Sequence, residues 1–203
     1  MTQKEIKNFF QAIKNNEIQT IKNLVKSNND FVKVCSFSPP KSDDGQSGLQ
    51  VAFKTGNFEI AEILINEGAD VNFSEQSGIN EWTAPVLHDC IRATIFNCSL
   101  LQKDNSVFDK AFSLLKLMLK KGADPNGIDS YGNNCLHRAI MDSRQMIVNP
   151  NAQKDNTTFI AQLRSVFNEL IRFGANPENF NEKRPSANSM IKNFRLEEYK
   201  LIE

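Results

Sequence analysis

The stretch Gly68–Asn72, "GADVN", recurs as "GADPN" at Gly122–Asn126 and as "GANPE" at Gly174–Glu178. Each copy closes an apolar segment whose pattern is the same when counted back from the glycine. The positions are Ile60, Ala61, Leu64 and Ile65, then Leu114, Leu115, Met118 and Leu119, then Val166, Phe167, Leu170 and Ile171. A spacing of i, i+1, i+4, i+5 lays one apolar stripe along a helix. The glycines stand where the chain leaves that helix in a left-handed conformation, which costs glycine nothing. A recurring amphipathic helix with a recurring exit predicts an internal period, and a period of this size means an array of small stacked units.

A second motif lies at the other end of each unit. "VLHDC" at Val86–Cys90 and "CLHRA" at Cys135–Ala139 open a helix with Leu-His-x-small, and "GLQVAFKTG" at Gly48–Gly56 repeats the frame with Gln50 in the histidine place. With both motifs present, the sequence resembles the ankyrin repeat, a unit of about 33 residues reading as a turn, T-P-L-H-x-A, two short helices and G-A-D-x-N. "DSYGNNCLHRA" at Asp129–Ala139 carries the turn and first helix, with Asn134 and Cys135 in place of Thr-Pro. "AIKNNEIQTIKNLVKSNND" aligns with Ala52–Asp70 and puts Asn28 in the capping-glycine place. The segment after Arg184 reads as a degenerate last unit. The resemblance implies an all-α ankyrin-repeat solenoid, a single domain over residues 1–203, in about five units at roughly 1–35, 46–72, 82–126, 129–178 and 183–203.

Three departures stand out. From His88 to Gly122, and from His137 to Gly174, the chain is longer than from Gln50 to Gly68, so the helix pairs of these two units are extended. "QKDNSVF" at Gln102–Phe108 and "QKDNTTF" at Gln153–Phe159 then read as the turns and N-caps of two long hairpins. The turn between Asn72 and Leu87 is long and holds Trp82, the only tryptophan. The connection "SFSPPKSDDGQSG" before Leu49 reads as an irregular exposed loop.

The charges bound the partner. Twenty-four basic and 24 acidic residues cancel, so no global field attracts nucleic acid or an anionic membrane. The polar N-terminal stretch lacks the apolar core of a signal peptide, and about 18 apolar residues never run together. A cytoplasmic protein is the expectation. The four cysteines, Cys35, Cys90, Cys98 and Cys135, show no CxxC spacing, which points to reduced thiols and no metal or other cofactor.

Ankyrin domains bind proteins through the tips of their turns and the adjoining first helices, and the resemblance implies the same here. Phe73, Glu75, Trp82, Asp129, Tyr131, Phe180 and Arg184 fall on that surface; Trp82 either anchors a partner or folds back over its neighbouring unit. The turn edge counts to a net negative charge through Asp43, Asp44, Glu75, Glu81 and Asp129, which suggests a partner with a basic surface. His88 with Cys90, and Cys135 with His137, are read as packing and turn-bonding residues of the pattern. The functional expectation is a non-enzymatic, monomeric protein-binding module of a microbial immunity or antitoxin type, which would block a cognate toxin. A host-targeting effector or scaffold is the close alternative. A rival of another class is an enzyme with a pocket near His88 and His137.

Overall fold

The structure, a computed structural model, describes residues 1–37, 41–98, 105–149 and 157–202. Among them nine α-helices are joined by turns and fingers, and three short 3-10 helices and two two-residue strands complete the regular structure. The fold is all-α, as the periodicity predicts. The chain divides into two compact units, Met1–Asp89 and Cys90–Glu203.

In the first unit α1 (Gln3–Lys14) starts at a capping box, in which the Thr2 hydroxyl accepts from the Glu5 amide and the Glu5 carboxylate accepts from the Thr2 amide. Phe9, Phe10 and Ile13 of α1 are buried with Ile21 and Val25 of α2 (Ile18–Ser27) and with Phe31. The Phe9 ring lies 5.2 Å from that of Phe31. Helix α3 (Gly48–Thr55) packs on α1 and on α4 (Phe58–Asn66). Its first residue must be small, since a Cβ on Gly48 would sit 2.9 Å from the Phe9 ring.

Two sequence expectations change here. Asn28 is extended, with φ −154°, and its side chain caps the following 3-10 turn by accepting from Asp30 N. The left-handed asparagine is Asn16, φ 57°, one helix earlier and in the place of Gly56. Asparagine tolerates that conformation. The connection before Leu49 is also more ordered than its composition suggests. Strand β1 (Cys35–Ser36) pairs antiparallel with β2 (Gln46–Ser47), and Asp43, Asp44, Gln46 and Ser47 are buried. What reads as an exposed loop is a finger whose returning arm is packed.

The second unit contains α6 (Asn105–Lys120), α7 (Cys135–Ile147), α8 (Thr157–Arg172) and α9 (Ala187–Asn193). Helix α5 (Val86–Phe96) begins in the first unit and ends in the second. The extended helices are present: α6 and α8 have 16 residues each against 9 in α4. Of the two QKDN stretches, residues 102–104 and 153–156 lie outside the described residues. The starts of the two long helices are joined, since Gln162 Nε2 donates to Asn105 Oδ1 at 3.2 Å.

Eleven of the twelve stripe residues are buried, and Ile171 is half-buried. The three glycine exits have one geometry. Gly68, Gly122 and Gly174 have φ of 90°, 91° and 101°. Each donates to the carbonyl three residues back, and the following alanine donates to the carbonyl five back, at Leu64, Met118 and Leu170, which closes the helix in a Schellman motif. The next residue then starts the turn: Asp70, Asp124 and Asn176 each accept, through Oδ1, the amide two residues on, at 2.8–2.9 Å. The "GAD" signature is thus a helix stop followed by an Asx turn, and only Asp or Asn can supply the second half.

Candidate functional site

The turns that follow these exits project as fingers. In the first unit the finger of residues 72–85 is a short hairpin, with Glu75 N donating to Ala84 O at 3.0 Å and Val86 N to Phe73 O at 2.8 Å. It lies along the finger before it, where Gln76 N donates to Gly45 O at 2.9 Å. Phe73 and Trp82 are half-buried and Glu81 is exposed. Glu75 is buried, at 7% exposure, and its carboxylate accepts from Gln46 Nε2 and Asn80 Nδ2.

In the second unit two fingers, residues 124–134 and 176–186, are held together by three hydrogen bonds from the later to the earlier. Asn181 Nδ2 donates to Gly132 O at 2.9 Å, Lys183 Nζ to Ser130 O at 3.0 Å and Arg184 Nε to Tyr131 O at 3.1 Å. Gly132 sits at φ 82°, where a Cβ would meet Asn181 Oδ1 at 2.9 Å, so the close approach needs glycine. Asp129 sets the earlier finger from inside. Buried at 4% exposure, its Oδ1 accepts from Tyr131 N at 2.9 Å and Asn133 N at 2.8 Å, and both carboxylate oxygens accept from Asn133 Nδ2. Tyr131 is 45% exposed and Phe180 79% exposed. Beside them an open recess of about 660 Å³ is lined by Phe180, Asn181, Arg184, Pro185 and Ser189, with Glu178 and Glu182 at its edge.

Of the seven predicted site residues, Tyr131 and Arg184 are brought together by a direct bond, and Phe180 stands on the same finger as Arg184. Glu75 and Asp129 are not surface residues, and this corrects the sequence reading. Their carboxylates are consumed by amide donors, from its own finger for Asp129 and from its own and the preceding finger for Glu75, as buried acceptors must be. The correction extends to the acidic edge. Asp44 is buried and accepts from Ser77 Oγ at 2.7 Å. Asp43 is buried between Lys14 and Lys54. Burial pushes its carboxyl up, but the two lysines outweigh that and hold it below the usual range. Of the five acids that made the count negative Glu81 remains exposed, while the exposed Glu178 and Glu182 are balanced by Lys183 and Arg184, so the inference of a basic partner loses its footing. Asn181 and Lys183, which clamp the fingers, carry no sequence signal beyond an asparagine at a turn.

The histidine and glutamine of the repeated frame prove equivalent. His137 is fully buried; its Nδ1 accepts from Asn134 N at 3.1 Å, its own amide donates to Asn134 Oδ1 at 3.0 Å, and its Nε2 is 2.8 Å from Pro185 O on the next finger. Since Nδ1 accepts, Nε2 carries the proton and donates. Gln50 does the same in the first unit: its Oε1 accepts from Ser47 N at 3.2 Å and its Nε2 donates to Ala84 O at 3.3 Å. In both, one side chain caps its own helix and ties it to the following finger. His88, Cys90 and Cys135 are buried. Burial pushes the Cys135 thiol up, and Asp124 adds to it, away from nucleophile chemistry. Among the described residues no cluster of three His, Cys, Asp or Glu side chains could hold a metal, and no helix is long and apolar enough to cross a membrane.

Sequence reading missed a buried ion pair. Asp142 is fully buried in α7 and takes a two-pronged contact from Arg138, at 2.9 Å from Nε and 2.6 Å from Nη2. A pair four residues apart on a helix reads as surface charge, and only the packing shows otherwise.

Helix pairs closed by left-handed exits and separated by projecting fingers define a repeat protein of the helix-pair class. The family model for the ankyrin repeat matches residues 44–75. The chain is 29% identical over 132 residues, 65% of its length, to a Rickettsia bellii protein described as an ankyrin repeat protein. It is 27% identical over 143 residues, 70% of its length, to palmitoyltransferase AKR1 of Kluyveromyces lactis. It spans only 16% of the length of each relative. With the repeated exits and fingers, these matches make residues 44–75 similar to an ankyrin repeat and the chain as a whole similar to ankyrin-repeat proteins.

Proposed function

We propose that this chain is a non-enzymatic protein-binding module whose contact surface in the second unit is the clamped pair of fingers. The observation that carries this reading is the coexistence of rigidity and exposure. Three cross-finger bonds and the Asp129 network fix the backbone, while Tyr131 and Phe180 remain open to solvent. Preordered aromatic side chains lose little entropy on binding, and Tyr and Arg are enriched among residues that dominate interface energetics. In the first unit Trp82 and Phe73, half-buried beside exposed Glu81, form a second candidate contact.

An enzyme near His137 is the weaker reading, since both ring nitrogens are engaged in structural hydrogen bonds and the ring is fully buried. Palmitoyltransferase AKR1 is matched over a small share of its length, which lends its named activity no support in this chain. We further propose an organisation of about five repeat units with the bounds given above, acting in the cytoplasm as a monomer. The role is that of an immunity or antitoxin protein, with a host-targeting effector or scaffold as the alternative. Affinity capture from the source organism, with quantitative mass spectrometry, tests the reading. A protein retained by the wild type and lost with Tyr131→Ala/Phe180→Ala supports the finger surface, and a captured toxin separates the immunity role from the effector role. Equal retention by both forms refutes the surface.

A further inference from the structure

His137 holds the later finger of the second unit at its base through the carbonyl of Pro185, and it holds the end of the earlier finger through the amide of Asn134. The bond from Asn134 needs the neutral ring, whereas the Nε2–H bond to Pro185 survives protonation and is lost only if the ring itself moves. Nδ1 must present a lone pair to Asn134 N–H, and an imidazolium has none. Protonation therefore turns that contact into two facing N–H groups inside a site with no exposed surface at the ring. The protonated ring gains water only by leaving the site, and its bond to Pro185 leaves with it.

We propose that His137 is an acid-released latch: at neutral pH it fixes the bases of the two fingers that carry Tyr131 and Phe180, and in acid it lets them loosen. This rests on the protein-binding reading above for its consequence, weaker partner binding in acid, but the latch itself is a property of the free chain. Burial favours the neutral ring and holds its proton affinity below the ordinary histidine value, while the bond to Pro185 and the Asp129 carboxylate favour the cation and Arg184 opposes it. On α7 itself the neighbouring Arg138 is engaged with Asp142, and among the described residues of α8 and α9 no charged group acts on the ring. The sign follows from linkage. A histidine whose folded form resists protonation stabilises the closed state fully above the ordinary value of about 6.5, and that contribution is lost as pH falls below it. The three cross-finger bonds at Asn181, Lys183 and Arg184 do not depend on the ring, so acid loosens the base of the later finger while its tip stays tethered.

The molecule supplies its own control. Gln50 makes the same pair of bonds in the first unit with a side chain that cannot titrate, so His137→Gln retains the latch and removes the pH dependence. The test is amide hydrogen exchange by NMR on the free chain between pH 7.5 and 5.0, read at Asn134 and His137 and corrected for the intrinsic rate, with the ¹⁵N shifts of the His137 ring followed in parallel. Wild-type exchange at these amides should rise by up to about tenfold per pH unit below about 6.5, and His137→Gln should be flat. The proposal is overturned if both proteins respond alike, or if the wild-type amides stay protected while the ring shifts report an imidazolium. Partner binding plays no part in this readout, so the interaction reading stands or falls separately on the Tyr131 and Phe180 variants at pH 7.5.

Discussion

Two glycines of the first unit make a matched pair of perturbations. Gly45 and Gly68 have φ of 72° and 90°, so alanine at either position meets the same left-handed penalty, about 1 to 2 kcal/mol. Their surroundings differ. A Cβ on Gly68 meets nothing within 4 Å, whereas one on Gly45 would lie 2.1 Å from Ser77 N and 2.4 Å from Gln76 C. Those are backbone atoms of the next finger, and only displacing that finger relieves the overlap. Displacement breaks the 2.9 Å bond from Gln76 N to Gly45 O and the 2.7 Å bond from Ser77 Oγ to buried Asp44. Each lost bond costs about 0.5 to 1.5 kcal/mol, and a buried carboxylate left without its donor costs about 1 to 3 more. Gly45→Ala should therefore destabilise by about 3 to 8 kcal/mol and Gly68→Ala by about 1 to 2. With a urea slope near 2 kcal/mol per M, the Gly45 variant should unfold about 1 M earlier or more than the Gly68 variant, by far-UV circular dichroism. Equal midpoints would refute the finger-on-finger contact, because the conformational penalty is common to both.

Other outcomes follow from the same geometry. Leu115→Ala and Leu170→Ala, in the buried stripe, should each lower unfolding stability by about 2 to 5 kcal/mol, while Lys120→Ala on an exposed position stays within about 0.5 kcal/mol; equal effects in urea titrations would misplace the stripe. Arg138→Ala leaves the buried Asp142 carboxylate with the longer 3.8 Å ion pair to Arg92 and should cost about 3 to 5 kcal/mol, with Arg138→Met/Asp142→Leu recovering much of it. If the double variant is no better than the single one, the pair is not what the site depends on. For Asp43 the folded form keeps its charge to lower pH than the unfolded chain, so its contribution is present above about pH 4 and lost as pH falls through the folded value. Asp43→Asn should flatten the acid limb of a stability profile, and an unchanged limb would contradict the lysine pairing.

Much of the fold was legible because its determinants are local. A helix that must stop and an Asx turn that must start constrain consecutive residues, so Gly68–Asp70 and its copies carry both signals in three letters. The histidine frame was legible for the same reason, and even Gln50 could be placed, since the role needs an acceptor and a donor at a fixed reach. What was not legible depends on contacts across the sequence. Glu75, Asp129, Asp43 and Asp44 occupy polar, turn-forming stretches that read as surface, and they are buried because amides and lysines from residues far along the chain or around the turn meet them. Asn16 and Asn28 are interchangeable by propensity, and only the backbone of the folded chain shows that Asn16 is the left-handed one while Asn28 caps the following turn. Tyr131 and Phe180 could be named as exposed aromatics, but the clamp that orders them, Asn181 and Lys183 on the carbonyls of 130–132, has no pattern to find.

Calorimetric titration of the captured partner at pH 7.5 tests the central claim most directly, with wild type, Tyr131→Ala/Phe180→Ala and Lys103→Glu/Lys154→Glu side by side. Lys103 and Lys154 stand in the two QKDN stretches, which the sequence reads as the turns of the long hairpins, and they test a rival recognition surface there. The account predicts that the aromatic variant keeps its melting temperature and loses about 2 kcal/mol or more of binding, roughly 30-fold in Kd, while the lysine variant binds as wild type. Normal binding by the aromatic variant together with loss in the lysine variant would contradict it, and would make the long hairpins the recognition surface.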